Sequence, residues 1–388
     1  MSTGAGHPSW WDPYSNQPYK LADESKPRLS AANAAEYAKV GITALVGLPR
    51  LLWRFAAAQP VASKTPAAQF AGLSITPDER YKEQIRDMVA ELGVEELLIR
   101  IPSWDLEHLD TYLEFAGQFS SHRFLFNILQ CRGSVTQPGR WERGLDEVFS
   151  RFKHLSGYFQ IGNAANRTKW GCNHSGEYLA LLETAERVRA KHPEVRLVGS
   201  SVIDFEPLVT LRTLYNRRRY HLDIVSALLY VNRRGSPYGR QYGFFDLENK
   251  LRLLHAMAGI GNRNDRRLWI TEFNWPLLDT KPYTPNSGHP DRTVDEETQA
   301  RYLTEYYRIA YRSGWVEKVY WWELINPGYG LVDHRQGELR KMPSYHAFKA
   351  LLDGGLYEPP AGPIRFARPR IPSPPAARRR PAGRTGRW

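Results

Sequence analysis

An apolar run, Leu268-Trp269-Ile270-Thr271, ends in Glu272-Phe273-Asn274-Trp275-Pro276, which sets one carboxylate among amide and indole groups. A carboxylate so placed is suited to nucleophilic attack or proton abstraction. The amides and indoles around it suit a polyhydroxylated ring, because amides bond hydroxyls and indoles stack on the apolar face of a sugar. Two further runs end in the same way. Leu98-Ile99-Arg100-Ile101-Pro102 leads to Trp104 and carries a guanidinium, and Phe159-Gln160-Ile161-Gly162 leads into Asn163-Ala164-Ala165-Asn166-Arg167. Tyr230 and Trp322 close two more. The candidate site is therefore Glu272 as the catalytic group, with Arg100, Trp104, Asn163, Asn166, Tyr230, Trp275 and Trp322 binding a glycan or glycoconjugate.

The elements that must position these groups repeat one pattern. Strand-length apolar runs at 70–75, 96–101, 123–129, 158–162, 196–202, 223–230, 267–273 and 317–322 alternate with segments of helical period at 79–92, 106–119, 141–154, 176–191, 207–217, 246–259, 295–313 and 344–352. Eight strand-helix units predict an α/β fold of the (β/α)8 TIM-barrel type, in which the carboxyl ends of the strands form the active face. The expected organisation is an N-terminal extension over 1–66, a barrel over 67–356 and a disordered basic C-terminal tail over 357–388.

Composition narrows the function. The chain has 388 residues with 42% hydrophobic content, enough for a large core, and its 12 Trp and 21 Tyr suit a carbohydrate site as well as packing. Cys131 and Cys172 are its two cysteines, which excludes a disulfide scaffold and a four-cysteine metal centre. No second ligand stands at metal spacing from His174 or Cys172, so neither metal nor cofactor is expected. Eight of the net +12 charges are arginines of the Pro-rich tail, leaving +4 for the rest, and no basic motif interleaved with aromatics points to nucleic acid. The tail reads either as a solubilising segment or as one drawn to anionic lipid.

The uncharged stretch Val40 to Pro49, followed by Arg50 and Leu51-Leu52-Trp53, has two readings. A run of ten is short for a bilayer span, so residues 40–55 either lie in an anionic membrane surface or pack on the barrel as a covering helix. Residues 1 to 26 do not read as a secretory signal. A cytoplasmic, membrane-associated protein is expected.

The runs resemble the retaining glycoside hydrolases of clan A, and Arg100-Ile101-Pro102 is most similar to the corresponding strand of family 5. The resemblance implies that Glu272, ending strand seven, is the nucleophile, and that Arg100, Tyr230 and Trp321 or Trp322 are the conserved partners of strands two, six and eight. Gly330-Leu331-Val332-Asp333 through Lys341-Met342-Pro343-Ser344-Tyr345 resembles the segment that closes many such barrels. The clan's acid/base lies in an Asn-Glu-Pro motif ending strand four, where this chain has Asn163-Ala164-Ala165. No acid occurs between Gly157 and Gly176, so no shift of register supplies one. Alanine neither protonates a leaving oxygen nor activates water.

Three readings follow from that replacement. Another acid serves, with Glu206 and Glu323 the better candidates over Asp204, Glu177, His174 and Lys169. Alternatively, the donor carries a leaving group that needs no proton, so that Glu272 passes a sugar to an acceptor. In the third, the barrel is a catalytically inactive pseudoglycosidase that binds glycan or partners. The expected activity is hydrolysis or transfer at a glycosidic bond, with a cell-envelope polysaccharide as the glycan class.

Overall fold

Short Val-, Ile-, Leu- and Phe-rich runs that are apolar on both faces must be covered on both, and a parallel sheet closed on itself inside a ring of helices does this. The computed structural model describes residues 7–21, 31–284 and 292–362. Its eight barrel strands are β1 Ala71–Ser74, β2 Glu96–Pro102, β3 Arg123–Leu129, β4 Tyr158–Ile161, β5 Arg196–Ile203, β6 Ile224–Leu228, β7 Leu268–Phe273 and β8 Lys318–Trp321. All neighbours are parallel and β8 closes on β1. The crossover helices are α1 Lys82–Leu92, α2 Leu109–Gly117, α3 Pro138–Phe152, α4 Ser175–Arg189, α5 Pro207–Leu214, α6 Leu247–Ile260, α7 Glu296–Ser313 and α8 Pro343–Leu352. The expected (β/α)8 barrel is the observed one. After β8, a small antiparallel pair, Val332–Asp333 with Arg340–Lys341, leads into α8.

Strand alternation sorts the side chains into layers. Leu98, Leu125, Val198, Ile224, Trp269 and Tyr320 fill the lower barrel, while Ile99, Phe126, Phe159, Val225 and Ile270 join the core shared with the helices. Two residues beyond the inner apolar layer the same inward positions turn polar: Arg100, Asn127, Gln160, Ser226 and Thr271, all buried. Below the apolar layer, Glu96 accepts from Arg123 Nε at 2.5 Å and Tyr320 Oη at 3.2 Å, and pairs with Lys318 Nζ at 2.6 Å.

Two register shifts re-aim strand ends. Between β7 and β8 the pairing runs Val319 with Ile270, then Trp321 with Phe273, so β7 holds one extra residue. Trp269 points into the lower barrel, Phe273 points out to Tyr306 and Tyr307 on α7, and the extra residue turns Glu272 inward between them. A second bulge lies in β5, between Gly199 and Val202, where Ser200 and Ser201 adopt positive φ.

The N-terminal extension contributes two packed elements. Trp11–Asp12 pairs antiparallel with Gln17–Pro18 in a hairpin. Helix Ala31–Ala57, which contains the whole 40–55 segment, lies across α5 and α6. Gly47 is buried against Leu211 and Ile260, and buried Glu36 pairs with Arg212 at 3.2 Å. One face of this helix thus covers the barrel, while Ile42, Leu45, Val46, Leu48, Leu52 and Trp53 stay exposed. By length and composition, Asn33–Ala57 is apolar enough to cross a membrane. The tail from 363 onward lies outside the described residues.

Glu96 is the common partner of two cations at the barrel floor, and burial lowers the Lys318 ammonium below its ordinary pKa. Removing the carboxylate leaves that cation uncompensated, so Glu96→Ala should lower the unfolding free energy by about 3–5 kcal/mol in urea titration. A loss below about 1 kcal/mol would show that the floor network contributes little.

Candidate active site

The bulge in β7 delivers Glu272 into a ring of donors. Arg100 Nη2 donates to Oε2 in a buried ion pair, Tyr230 Oη donates to Oε1 at 2.5 Å, and Asn163 Nδ2 reaches Oε2 at 3.4 Å. Each donor is itself held. Arg100 lies 4.4 Å above the Trp322 ring and sends Nη1 to the Asn16 carbonyl at 3.2 Å. Asn163 accepts from Asn127 Nδ2 at 2.9 Å, and its backbone is clamped by Gln130 on both sides. Burial, with Glu272 alongside, pushes the Tyr230 phenol well above its ordinary pKa, so it remains a donor. Gly162, at φ 77°, makes the left-handed turn that lifts Asn163 out of β4, and a Cβ there would meet Gln130 Oε1 at 2.9 Å.

Beside Asn163, Ala164 is fully buried and the space above it is filled. It belongs to an apolar cluster with Trp11, Leu129, Trp170, Leu228 and Tyr230, flanked by Trp104. Trp11 comes from the N-terminal hairpin, and its ring sits 5.2 Å from Trp104 and 5.8 Å from Trp170. The hairpin is bonded across the mouth at three further points. Asn16 Nδ2 donates to Glu323 Oε2 at 3.2 Å, Lys169 Nζ to Gln17 Oε1 at 2.6 Å, and Asn326 Nδ2 to the Tyr14 carbonyl at 3.2 Å. Glu272 is consequently only 5% exposed. Two cavities open beside the hairpin, one of 330 Å³ along Tyr14, Tyr283 and Glu323 and one of 150 Å³ along Arg100 and Trp104, and a third of 380 Å³, lined by no hairpin residue, runs along Arg167, Tyr230 and Arg234.

The two candidate acids differ. Glu323 is buried at the end of β8, accepting from Thr76 Oγ1 at 2.8 Å, Asn16 and Asn326, and burial raises its pKa against the opposing pull of Arg100. Glu206 is half-buried and tied to Arg167, which also holds Asp204 at 2.8 Å. Lys169 is brought down to about 8 by burial, with Glu272 and Asp12 opposing the shift. Glu177 pairs with Arg132 at 2.8 Å. His174 precedes α4 and its Nδ1 is buried without a partner among the described residues, and Cys172 is buried as a free thiol.

Two other residues read as ligands from the sequence point elsewhere. Asn166 spends its amide on Ile203, donating to the carbonyl at 3.0 Å and accepting from the amide at 2.9 Å, and so fastens the β4 loop to β5. Trp275 lies behind the mouth, packed against Phe273, Tyr302 and Trp321 with Nε1 on the Gly235 carbonyl. Asn16 and Trp11 are the mouth residues that the strand pattern does not reveal. The signal available for them is the turn-rich Trp10-Trp11-Asp12-Pro13-Tyr14-Ser15-Asn16, which reads as a hairpin but names no docking site.

The sequence matches no protein-family model and none of the curated proteins compared with it. Solved structures share its fold. A family 39 glycoside hydrolase from the gut symbiont Bacteroides cellulosilyticus WH2 aligns with a TM-score of 0.56 at 14% identity, over 75% of this chain and 65% of that one. A family 1 β-glucosidase from Thermotoga maritima gives 0.53 at 10%, over 75% and 98%, and an arabinofuranosidase gives 0.55 at 13%, over 76% and 72%. The chain thus spans just under two thirds of the first of these.

Two measurements follow from this geometry. A glutamate at position 164 would force a carboxylate into an apolar, filled space, so Ala164→Glu should lower the melting temperature by several degrees, and an unchanged value would mean that the cluster is loose. Glu323 has a folded pKa above its unfolded one, so its stabilising contribution is present below the unfolded value near 4.5 and is lost as pH rises through the folded value. Glu323→Gln should therefore gain stability relative to the unmodified protein between pH 4 and pH 8. A constant difference across that range would mean that the carboxyl does not titrate with folding.

Proposed function

We propose that this barrel acts on glycosidic bonds through Glu272 as nucleophile, and that it transfers a sugar from an activated donor. The observation carrying this reading is the convergence of Arg100, Tyr230 and Asn163 on a carboxylate turned inward by a strand bulge. A guanidinium and a phenol donating to separate oxygens fix the carboxylate's plane and leave it one direction of attack. The resemblance of β2, β6, β7 and β8 to clan A, with Arg100-Ile101-Pro102 closest to family 5, and the glycoside hydrolase neighbours in fold agree with it. Activated transfer is favoured over hydrolysis of simple glycosides because Ala164 supplies no acid, and loss of a general acid typically costs 10²- to 10⁴-fold. Trp104 borders the site as a surface for the sugar, the Trp322 ring holds Arg100 in place, and the hairpin must move for substrate to reach Glu272.

The same reading places the protein on an anionic membrane, with a cell-envelope glycan as substrate class. The apolar outer face of helix Ala31–Ala57 has Leu45 73% and Trp53 66% exposed, a surface that water disfavours. Exposed Lys39, Arg50 and Arg217 lie on or beside it, which complements anionic head groups rather than a neutral partner. The free thiols of Cys131 and Cys172 suit the cytoplasmic leaflet.

Two experiments test these readings. A panel of 2-deoxy-2-fluoroglycosyl fluorides in the gluco, galacto and manno series should label Glu272, detected by intact mass and peptide mapping, faster in Trp11→Ala and not at all in Glu272→Gln. Absence of label from the unmodified protein would remove the nucleophile and leave a glycan-binding barrel. In sedimentation with phosphatidylglycerol vesicles, Leu45→Glu with Trp53→Glu should weaken binding by roughly tenfold or more. Equal binding of the variant, or equal binding to phosphatidylcholine, would contradict membrane docking.

A further inference from the structure

The 380 Å³ cavity beside Tyr230 is lined by four arginines, Arg167, Arg233, Arg234 and Arg292, against two carboxylates, Asp204 and Glu206. Arg167 is paired to both acids, and Arg234 Nη2 shares Asp204 at 3.6 Å. Arg234 Nη1 is buried with no partner among the described residues, and Arg233 is exposed and makes no ion pair among them. Arg234 Nη1 therefore keeps a free donor for a ligand anion, and filling it would recover about 1–3 kcal/mol. Arg233 and Arg234 are also consecutive residues in the left-handed region, at φ 49° and 57°. Side-chain residues hold that conformation at a cost, and here it sets two guanidinium groups on one wall.

Tyr230 joins the cavity to Glu272. Arg234 stacks on the Tyr230 ring with its Cζ 3.2 Å from the ring centroid, and that ring's hydroxyl bonds Glu272. Arg167 follows Ala164 by three residues, so the β4 loop places a fixed positive charge on the side of the barrel where its acid is missing.

We propose that this cavity is the leaving-group subsite for the phosphate of a glycosyl phosphate donor, an assignment that rests on Glu272 being the nucleophile. A phosphate leaves without a proton, because its oxygens already carry the charge, and guanidinium forks are matched to it. A missing acid and an arginine-rich cavity thereby have one explanation. In the first step a Glu272 carboxylate oxygen bonds the anomeric carbon as the bond from that carbon to the phosphate oxygen breaks. The electron pair departs with the phosphate onto Arg233 and Arg234. In the second step an acceptor hydroxyl bonds the anomeric carbon, the ester to Glu272 breaks, and the hydroxyl proton passes to the phosphate or to water.

Inorganic phosphate is the direct probe. Calorimetric titration of the full chain should show phosphate binding that chloride at equal ionic strength does not reproduce, weakened at least about tenfold in Arg234→Gln and in Arg233→Ala, the second lying in an exposed side chain that carries little of the fold. On protein labelled at Glu272 by a 2-deoxy-2-fluoroglycosyl fluoride, phosphate should shorten the lifetime of the glycosyl-enzyme and release a glycosyl phosphate. Binding no stronger than chloride, or unchanged in both variants, overturns the subsite while labelling stands. Failure to label Glu272 overturns the nucleophile and the subsite with it. Glucose 1-phosphate and dodecyl phosphate distinguish the source: tighter binding of the alkyl phosphate assigns a lipid-linked donor, and tighter binding of the sugar phosphate a soluble one.

Discussion

A buried ion pair between Arg100 and Glu272 is the constraint around which the barrel mouth is built. Withdrawing both charges from water costs several kcal/mol per ion, and the attraction between them offsets this only where the remaining hydrogen-bonding capacity is also filled. The surroundings supply that capacity. Tyr230 and Asn163 complete the carboxylate, while the Asn16 carbonyl and the Trp322 face complete much of the guanidinium. The extra residue in β7 and the left-handed turn at Gly162 are local departures from regular strand geometry that bring these groups together. Sheet regularity yields to the site at both places.

The hairpin follows from the same constraint. Without a carboxylate at position 164, the region beside Glu272 is apolar enough to accept an indole, and Trp11 occupies it. Asn16 then bonds both Arg100 and Glu323, which links the hairpin to β2 and β8 at once. A second polar region lies in the arginine-lined cavity that Tyr230 borders.

The strand order and the inward residues of β2, β4, β6 and β7 are legible in the sequence because a buried parallel sheet imposes long apolar runs and a fixed place for polar endings. Glu272, Arg100, Tyr230 and Asn163 come together as that pattern implies. Trp275 and Asn166 do not join them: the Trp275 indole N–H is held by the Gly235 carbonyl behind the mouth, and Asn166 spends its amide on Ile203. A register shift leaves no trace in composition. The docking of Trp11 and Asn16 is illegible for a different reason: it is a contact between segments far apart in the chain, chosen by the shape of a cavity that exists only after the barrel closes. The arginine pair at 233 and 234 is plain in the sequence, but only the left-handed turn shows that both side chains face one cavity.

The most direct test of this account is a double-mutant cycle between Arg100→Met and Glu272→Gln, read as unfolding free energy in urea. If the pair organises the mouth, each single change leaves a buried charge unmatched and the double change relieves it, giving a coupling energy of about 2–3 kcal/mol. A coupling within about 0.5 kcal/mol of zero would mean that the two charges are satisfied independently, and would contradict a site built around their pairing.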